Sequence, residues 1–268
     1  MRVTLRPHPR FIVRLQPRVP DLIAQLNDPN FFWMLAVILF ALFVRGAFGF
    51  GDGLIAVPLL AWSIPVKEAV PLIMLLSIVT SMFGVVRERS SIQLGSLKRA
   101  GIFALLSFPI GIVALRWFDE RLVTVTLGCV LVLLSIWYLT AVKPPRLTAS
   151  YWSYIFGFAA GVLGGAYALR GIVFAVYGSL RGWTPAELRA TLHGFYLVSS
   201  VLVPGGYWAA GLLTPSVLVY VLLLSVPAIF AGWVGYRVSR RVEASSFKRG
   251  LWLLVGASGV WLAIRGFI

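Results

Sequence analysis

The sequence contains few charged residues and almost no cysteine or histidine. Only 12% of its 268 residues are Asp, Glu, Lys or Arg, whereas a soluble globular domain carries about 25%. The single cysteine, Cys129, excludes a disulfide or a thiolate metal cluster within one chain. The two histidines, His8 and His193, lie far apart in sequence, which argues against a histidine metal site. These shortages exclude an ordinary soluble protein, and we expect neither a metal nor another cofactor.

The chain is instead rich in apolar residues, which make up 59% of it. Uncharged windows such as 122–142 and 190–236 are long enough to hold membrane-spanning helices. The formal net charge is +15, and the basic residues fall mainly between the apolar windows, where membrane proteins contact anionic lipid. The sequence therefore predicts an all-α, multi-pass protein of the cell (inner) membrane, with lipids rather than nucleic acid as partners.

About ten apolar segments follow a basic, proline-containing tail at residues 1–30. Pro29, Pro185 and Pro215 occupy positions typical of a first helical residue, each preceded by a Thr or Asp that can cap the helix. Thr184 and Glu187 also have the spacing of a capping box, which favours a helix-start role for Glu187 over a catalytic one. The predicted segments are 31–50, 53–64, 66–86, 99–117, 122–142, 150–168, 171–181, 186–210, 215–237 and 250–267.

Two of these segments, 53–64 and 171–181, are too short to cross a hydrocarbon layer about 30 Å thick. Each follows a glycine-rich break, and an offset of 118 residues lays one break on the other. Matched interruptions of this kind are typical of transporters built from internal repeats. The sequence therefore predicts a helical bundle of two pseudo-symmetric five-segment repeats with Gly-broken short helices. The expected division is a tail at 1–30, a first repeat at 31–142, a linker at 143–149 and a second repeat at 150–268.

The relative orientation of the two halves has two solutions. If every segment crosses the membrane, each half has an odd number of crossings and the halves are inverted. Most basic residues of the short loops then lie on one side, as the positive-inside rule favours. If the short segments only re-enter, the halves run parallel and the basic residues divide almost evenly. We favour inversion.

The glycine breaks are the candidate binding site. A break in a membrane helix frees backbone groups that must be buried in protein or line a polar cavity. The helix that restarts there points its N-terminus, with its partial positive charge, into that space, and such ends hold anions. Arg170 is the principal candidate, because a planar guanidinium suits a tetrahedral oxyanion. The predicted substrate-binding residues are Arg45, Gly49, Gly51, Asp52, Gly53, Arg170 and Gly171.

These assignments have structural alternatives. One assigns the glycines to close helix packing, and another has Arg170 neutralise Asp52 across the centre of the two halves. Asp52 and His193 are candidates for proton coupling, with sodium as the other candidate coupling ion. The alternative for His193 is a hydrogen-bonded core residue. A homodimer is a candidate assembly.

A family resemblance rests on the glycine-rich stretches. Residues 46–58 and 65–69 resemble the glycine-rich run, the apolar run ending in Pro, and the Pro/Glu/Ala helix start of the TauE/SafE sulfite exporter family. The second half repeats this pattern more loosely at 161–171 and 184–191. The resemblance extends over nearly the whole chain after the tail. It implies a permease for small sulfur-containing anions such as sulfite, thiosulfate or organosulfonates.

The chain departs from the family pattern at two matched positions. Asp52 stands where the family typically has glycine, and Arg170-Gly171-Ile172 stands where it usually has Gly-Gly-Pro. The sequence contains no GxxxxGK[ST] phosphate loop, so we expect secondary, alternating-access transport rather than ATP hydrolysis by this chain. The alternatives are an anion channel and a membrane scaffold subunit without its own transport activity. A lipid-acting enzyme would need a paired nucleophile and base, which the sequence does not offer, so we expect no catalytic activity.

Overall fold

The computed structural model describes residues 29–88, 91–140, 146–239 and 245–266. Within these ranges the chain forms eleven helices and no strand, which confirms the all-α prediction. The helices are α1 (Pro29–Phe48), α2 (Asp52–Leu60), α3 (Val66–Glu88), α4 (Leu94–Trp117), α5 (Glu120–Thr140), α6 (Trp152–Tyr167), α7 (Arg170–Leu180), α8 (Pro185–Ser200), α9 (Val203–Ala209), α10 (Pro215–Ser239) and α11 (Ser245–Arg265).

The helix starts follow the local sequence signals. Pro29, Pro185 and Pro215 are each the first residue of a helix, where a proline costs no helical hydrogen bond. The Thr184 side chain accepts a hydrogen bond from the Glu187 backbone N–H, and the Glu187 carboxylate accepts one from the Thr184 N–H, which confirms the capping box. Residues 1–28 of the predicted tail and residues 143–145 of the predicted linker lie outside the described residues.

The two short segments are short helices. With nine and eleven residues, α2 and α7 extend for only about 14 and 17 Å. The predicted segment at 186–210 is wrong as a single helix, because the chain leaves the helix after Ser200 and restarts at Val203. Pro204 explains the break, since its ring conflicts with the carbonyl of Ser200 four residues earlier.

Helices from the two halves of the chain pack in crossed pairs. α1 lies against α10, α4 against α6, α3 against α8, and α5 against α11. Glycines allow the closest approaches, as at Gly157 against the Ala100 backbone and at Gly235 against the Phe43 backbone, where a Cβ would have no room. The core is therefore built jointly by both halves rather than by each half alone.

The loops collect at two opposite ends of the bundle. At one, which we call the Arg121 end, Arg121 donates to the Gly266 carbonyl, and Arg265 donates to the Ala61 carbonyl at 2.6 Å. At the other, the Arg181 end, Arg181 donates to the Leu147 carbonyl at 2.9 Å. The side chain of Gln93 reaches the Glu187 carboxylate there at 2.6 Å.

Helix length and surface fit a membrane setting. Among the described residues, four helices are long and apolar enough to cross a membrane: Asn30–Phe48, Leu94–Trp117, Glu120–Thr140 and Pro215–Val238. Large apolar side chains such as Leu106, Leu133 and Leu222 are exposed on α4, α5 and α10, as expected of surfaces that face lipid. Cys129 is also exposed, on α5.

Candidate functional site

The chain reverses between α1 and α2 at a glycine turn. Gly49 and Gly51 have φ angles of 85° and 110°, in the left-handed region that favours glycine. At the equivalent turn between α6 and α7, Ala168 adopts a φ of 59°. The predicted binding residues Gly49 and Gly51 thus shape the first turn, and Gly49 faces Arg189 of α8.

The two breaks meet in the interior. A Cβ on Gly53 would overlap the carbonyl of Ala168, so the start of α2 lies directly against the turn before α7. Neither α2 nor α7 has a side-chain N-cap. Two short helices therefore begin close together, with N-terminal N–H groups that no side chain caps.

Asp52 forms an ion pair with Arg45 across the first break. The Asp52 carboxylate accepts hydrogen bonds from the Arg45 guanidinium and from the Ser77 hydroxyl. Arg45 also donates to Ser81, whose hydroxyl donates to the Ser77 carbonyl at 2.6 Å. Asp52 and Arg45 are buried, and with Ser77 and Ser81 they form a polar cluster between α1, α2 and α3.

Among the described residues Arg170 forms no direct ion pair with Asp52, whose carboxylate pairs with Arg45 instead. The glycine turn brings Arg45, in the last turn of α1, beside Asp52, in the first turn of α2. These two residues lie only seven positions apart in the chain. The Asp52 carboxylate accepts its side-chain hydrogen bonds from Arg45 and Ser77.

Arg170 is buried with most of its donors unused. It begins α7 and is 2% exposed. One terminal nitrogen, Nη1, is directed at the sulfur of Met74, whereas Nε and Nη2 have no hydrogen-bond partner among the described residues. A buried charge without a partner carries a large desolvation cost, so this arrangement is typical of a site that receives an anionic ligand.

Tyr196 of α8 connects the two arginines. The Cζ atoms of Arg45 and Arg170 lie 4.0 and 5.0 Å from the centroid of its ring, within the range of cation–π contacts. The Tyr196 hydroxyl is buried and has no hydrogen-bond partner in the part of the chain that the structure describes. It lies against Gly171, where a Cβ would overlap it. Gly171 is therefore required so that this hydroxyl can reach the start of α7.

A cavity of about 550 Å³ lies beside this cluster, between α1, α3, α8 and α10. Arg45, Thr80 and His193 contribute polar groups to its wall. His193 is buried, as a core residue would be, and its Nδ1 has no hydrogen-bond partner among the described residues. Arg45 therefore lines the cavity and also contacts Asp52 and the Tyr196 ring.

Sequence reasoning missed four residues of this cluster as candidates: Met74, Ser77, Ser81 and Tyr196. Ser77 and Ser81 stand four residues apart in the mainly apolar middle of α3, and that spacing places them on one helix face. This spacing could have identified the two serines as candidate site residues from the sequence. Met74 and Tyr196 carry no comparable signal, because an apolar or aromatic residue in a membrane helix is ordinary.

Comparison with known proteins gives one result. The family model described as Sulfite exporter TauE/SafE matches residues 34–262. No curated protein and no solved structure matches the chain.

Proposed function

The chain belongs to the sulfite exporter TauE/SafE family of integral membrane transporters, and we propose that it carries small sulfur-containing anions by a secondary, alternating-access mechanism. The candidate substrates are sulfite, thiosulfate and organosulfonates. Each presents several oxygen acceptors around one sulfur centre, which matches the planar set of donors on an arginine.

The buried guanidinium of Arg170 is the observation that carries the proposal. Within the described ranges, its Nε and Nη2 atoms have no hydrogen-bond partner, and neither has the nearby hydroxyl of Tyr196, which lies at the start of α7. Arg45, Asp52 and Arg170 together leave one positive charge in this cluster. An oxyanion would compensate that charge and accept hydrogen bonds from Arg170 and Tyr196.

The glycines have distinct roles in this proposal. Gly171 and Gly53 allow the two helix N-termini to approach Tyr196 and Ala168, respectively. Gly49 and Gly51 form the turn that places Asp52 beside Arg45. We propose that these four glycines shape the site, and that Arg170, Tyr196 and the N-terminus of α7 contact the anion.

Alternating access is supported by the arrangement of the two halves. The first helix of each half packs against the fourth helix of the other half, α1 against α10 and α6 against α4. The third segments of the two halves, α3 and α8, pack against each other, and so do the fifth segments, α5 and α11. α1 begins beside Trp62, near the Arg121 end. α6 follows Thr148, which Arg181 contacts at the opposite end. This pattern favours inverted repeats at 31–142 and 150–268, which exchange equivalent packings as the site opens to each side.

In this proposal His193, rather than Asp52, takes up the proton that is coupled to anion transport. Asp52 is committed to Arg45 and Ser77. His193 lines the cavity, and its Nδ1 is free of hydrogen-bond partners. A neutral imidazole beside an entering anion is positioned to take up a proton with it. His193→Gln should therefore weaken the dependence of anion flux on an imposed pH gradient, and unchanged dependence would leave sodium as the coupling ion to test.

Flux into liposomes that contain the purified chain tests the proposal. Labelled sulfite or thiosulfate should enter with saturable kinetics and show counterflow, which a channel would not. Arg170→Ala should abolish this flux while the protein remains folded in the membrane. The matched control is Arg116→Ala, because Arg116 is an exposed arginine in the last turn of α4.

Three results would contradict the proposal. Normal transport kinetics in Arg170→Ala would remove Arg170 from the site. Saturation without counterflow would favour an anion channel. No flux above that of empty liposomes, for any of the candidate anions, would favour a scaffold subunit.

A further inference from the structure

α9 is a short and lightly packed helix. It extends for about 10 Å, and of its seven residues only Val203 and Tyr207 are buried. The chain leaves the helical path just before it, where Pro204 breaks the continuation of α8, and turns again after it at Gly211, whose φ is 68°. Trp208, on its outer face, is 75% exposed. A short helix with few buried residues and a break on each side can open at a low cost in free energy.

Tyr207 joins α9 to the second glycine break. Its side chain is fully buried, and its hydroxyl donates a hydrogen bond to the carbonyl of Gly165, in the last turn of α6, at 3.0 Å. The last four carbonyls of a helix have no partner within the helix, so this hydroxyl satisfies one of them. The Tyr207 ring packs edge-on against the Phe108 ring of α4, with centroids 6.1 Å apart. The neighbouring Gly206 lies against the Ile112 side chain of α4.

This contact lies beside Arg170. A Cβ on Gly164 would approach the Arg170 Cβ to 2.8 Å and the Phe108 ring to 3.4 Å. Gly164 directly precedes Gly165, so Tyr207, Phe108 and Arg170 surround the same turn of α6. Arg170 and Tyr207 are also close enough to interact electrostatically. Displacement of α9 would therefore remove part of the cover over the Arg170 side chain.

α9 and the cavity lie on different sides of Arg170. α4 begins after Gln93 at the Arg181 end, and Ile112, which α9 contacts, lies about 27 Å further along this helix. α9 is therefore on the Arg121 side. The cavity is lined by Trp233 and Tyr236, in the last turns of α10, which starts just after α9 and runs toward the Arg181 end. The two features therefore face opposite ends of the bundle.

We propose that α9 is a gate that closes the anion site toward the Arg121 end, and that the hydrogen bond from Tyr207 to Gly165 holds this gate shut. This inference rests on the proposed function and adds a control of access to it. Loss of the hydrogen bond would let α9 move away from α4 and α6 and open a path to Arg170 from the Arg121 side. The corresponding helix of the first half, α3, is continuous from Val66 to Glu88, so we expect no matching gate at the Arg181 end.

Cysteine labelling of the full chain in nanodiscs tests the hydrogen bond. Ile112→Cys, in a Cys129→Ser background, places a thiol beneath α9, where a water-soluble maleimide should react slowly. Tyr207→Phe removes the hydroxyl and keeps the ring. It should raise the labelling rate about two- to tenfold, because the net contribution of a hydrogen bond shifts an opening equilibrium by about that factor. The matched control is Tyr154→Phe, because Tyr154 is an exposed tyrosine of α6.

A cross-link tests whether α9 moves during transport. Gly206→Cys and Ile112→Cys, combined in the Cys129→Ser background, place two thiols at the contact between α9 and α4. Dibromobimane can join them through thioether bonds, which sulfite does not cleave. The cross-linked protein should lose at least tenfold of its labelled sulfite flux in liposomes. The matched control is Trp208→Cys treated in the same way, which places the reagent on the exposed face of α9 without linking it to α4.

Two outcomes overturn this inference and leave the proposed function standing. Equal labelling rates in the Tyr207→Phe and Tyr154→Phe proteins would show that the hydroxyl does not hold α9 in place. Undiminished flux in the cross-linked protein would show that α9 does not move during transport. The absence of flux for every anion before cross-linking would instead overturn the proposed function, and the role of α9 as a gate with it. The labelling rates require no transport, so they distinguish these cases.

Discussion

Replacement of Arg170 by methionine should stabilise the protein and abolish transport, because the charge serves the ligand rather than the fold. Methionine retains much of the volume of the side chain and removes the unpartnered donors Nε and Nη2. Each buried donor without a partner costs about 1–3 kcal/mol. Their removal should therefore recover about 2–6 kcal/mol of unfolding free energy, less the cation–π contact with Tyr196, which contributes about 1–2 kcal/mol.

Replacement of Arg45 by methionine should have the opposite effect and lower the stability of the protein. Arg45→Met would leave the Asp52 carboxylate buried without the guanidinium that it contacts, and breaking a buried ion pair in this way costs about 3–5 kcal/mol. The two variants remove the same group from neighbouring positions around one tyrosine. One should raise the unfolding temperature and the other should lower it.

Thermal unfolding of the purified variants in nanodiscs, with and without sulfite, measures both effects. The wild-type protein should be stabilised by sulfite, and Arg170→Met should have a higher unfolding temperature that sulfite no longer changes. The reasoning is refuted if Arg170→Met destabilises the protein as strongly as Arg45→Met. It is also refuted if Arg170→Met still transports sulfite.

Three further substitutions test the geometry around the site. Gly53→Ala should lower the unfolding free energy by about 1–3 kcal/mol and impair flux, because its Cβ would overlap the Ala168 carbonyl; Gly205→Ala, in open space, should change neither quantity. Tyr196→Phe should raise the free energy of unfolding by about 1–3 kcal/mol, since it removes a buried hydroxyl that has no partner among the described residues, and weaken sulfite binding about tenfold in titrations. Thr184→Ala should cost about 1 kcal/mol in chemical unfolding through loss of the capping box, and a change in sulfite affinity would show that α8 is coupled to the site.

The helices were largely predictable because their limits depend on local chemistry. A proline at the first position and a capping threonine act within a few residues, so Pro185 and Thr184 specify the start of α8 from sequence alone. The two short helices were predictable because the glycine turns that precede them are long and matched. The break after Ser200 was missed, although Pro204 marks it, because the apolar pattern continues across it.

The arrangement inside the site was less predictable because it depends on which side chains the turn brings together. The sequence indicated that Arg45, Asp52 and Arg170 lie near the breaks, but it offered only Arg170 as a possible partner of the carboxylate. The left-handed φ of Gly51 turns α2 back beside the end of α1, and this turn brings Asp52 into contact with Arg45. The part played by Tyr196 depends on the packing of α8 against α3, and no local pattern encodes that contact.

The single thiol of the chain has a practical consequence. Because Cys129 is the only cysteine and is exposed on α5, Cys129→Ser yields a background without reactive sulfur. New cysteines introduced at the Arg121 end and at the Arg181 end, one per variant, can then be challenged in intact cells with a maleimide that does not cross lipid. Reaction at one end and protection at the other would report which end faces the cytoplasm, and therefore from which compartment the cavity is filled.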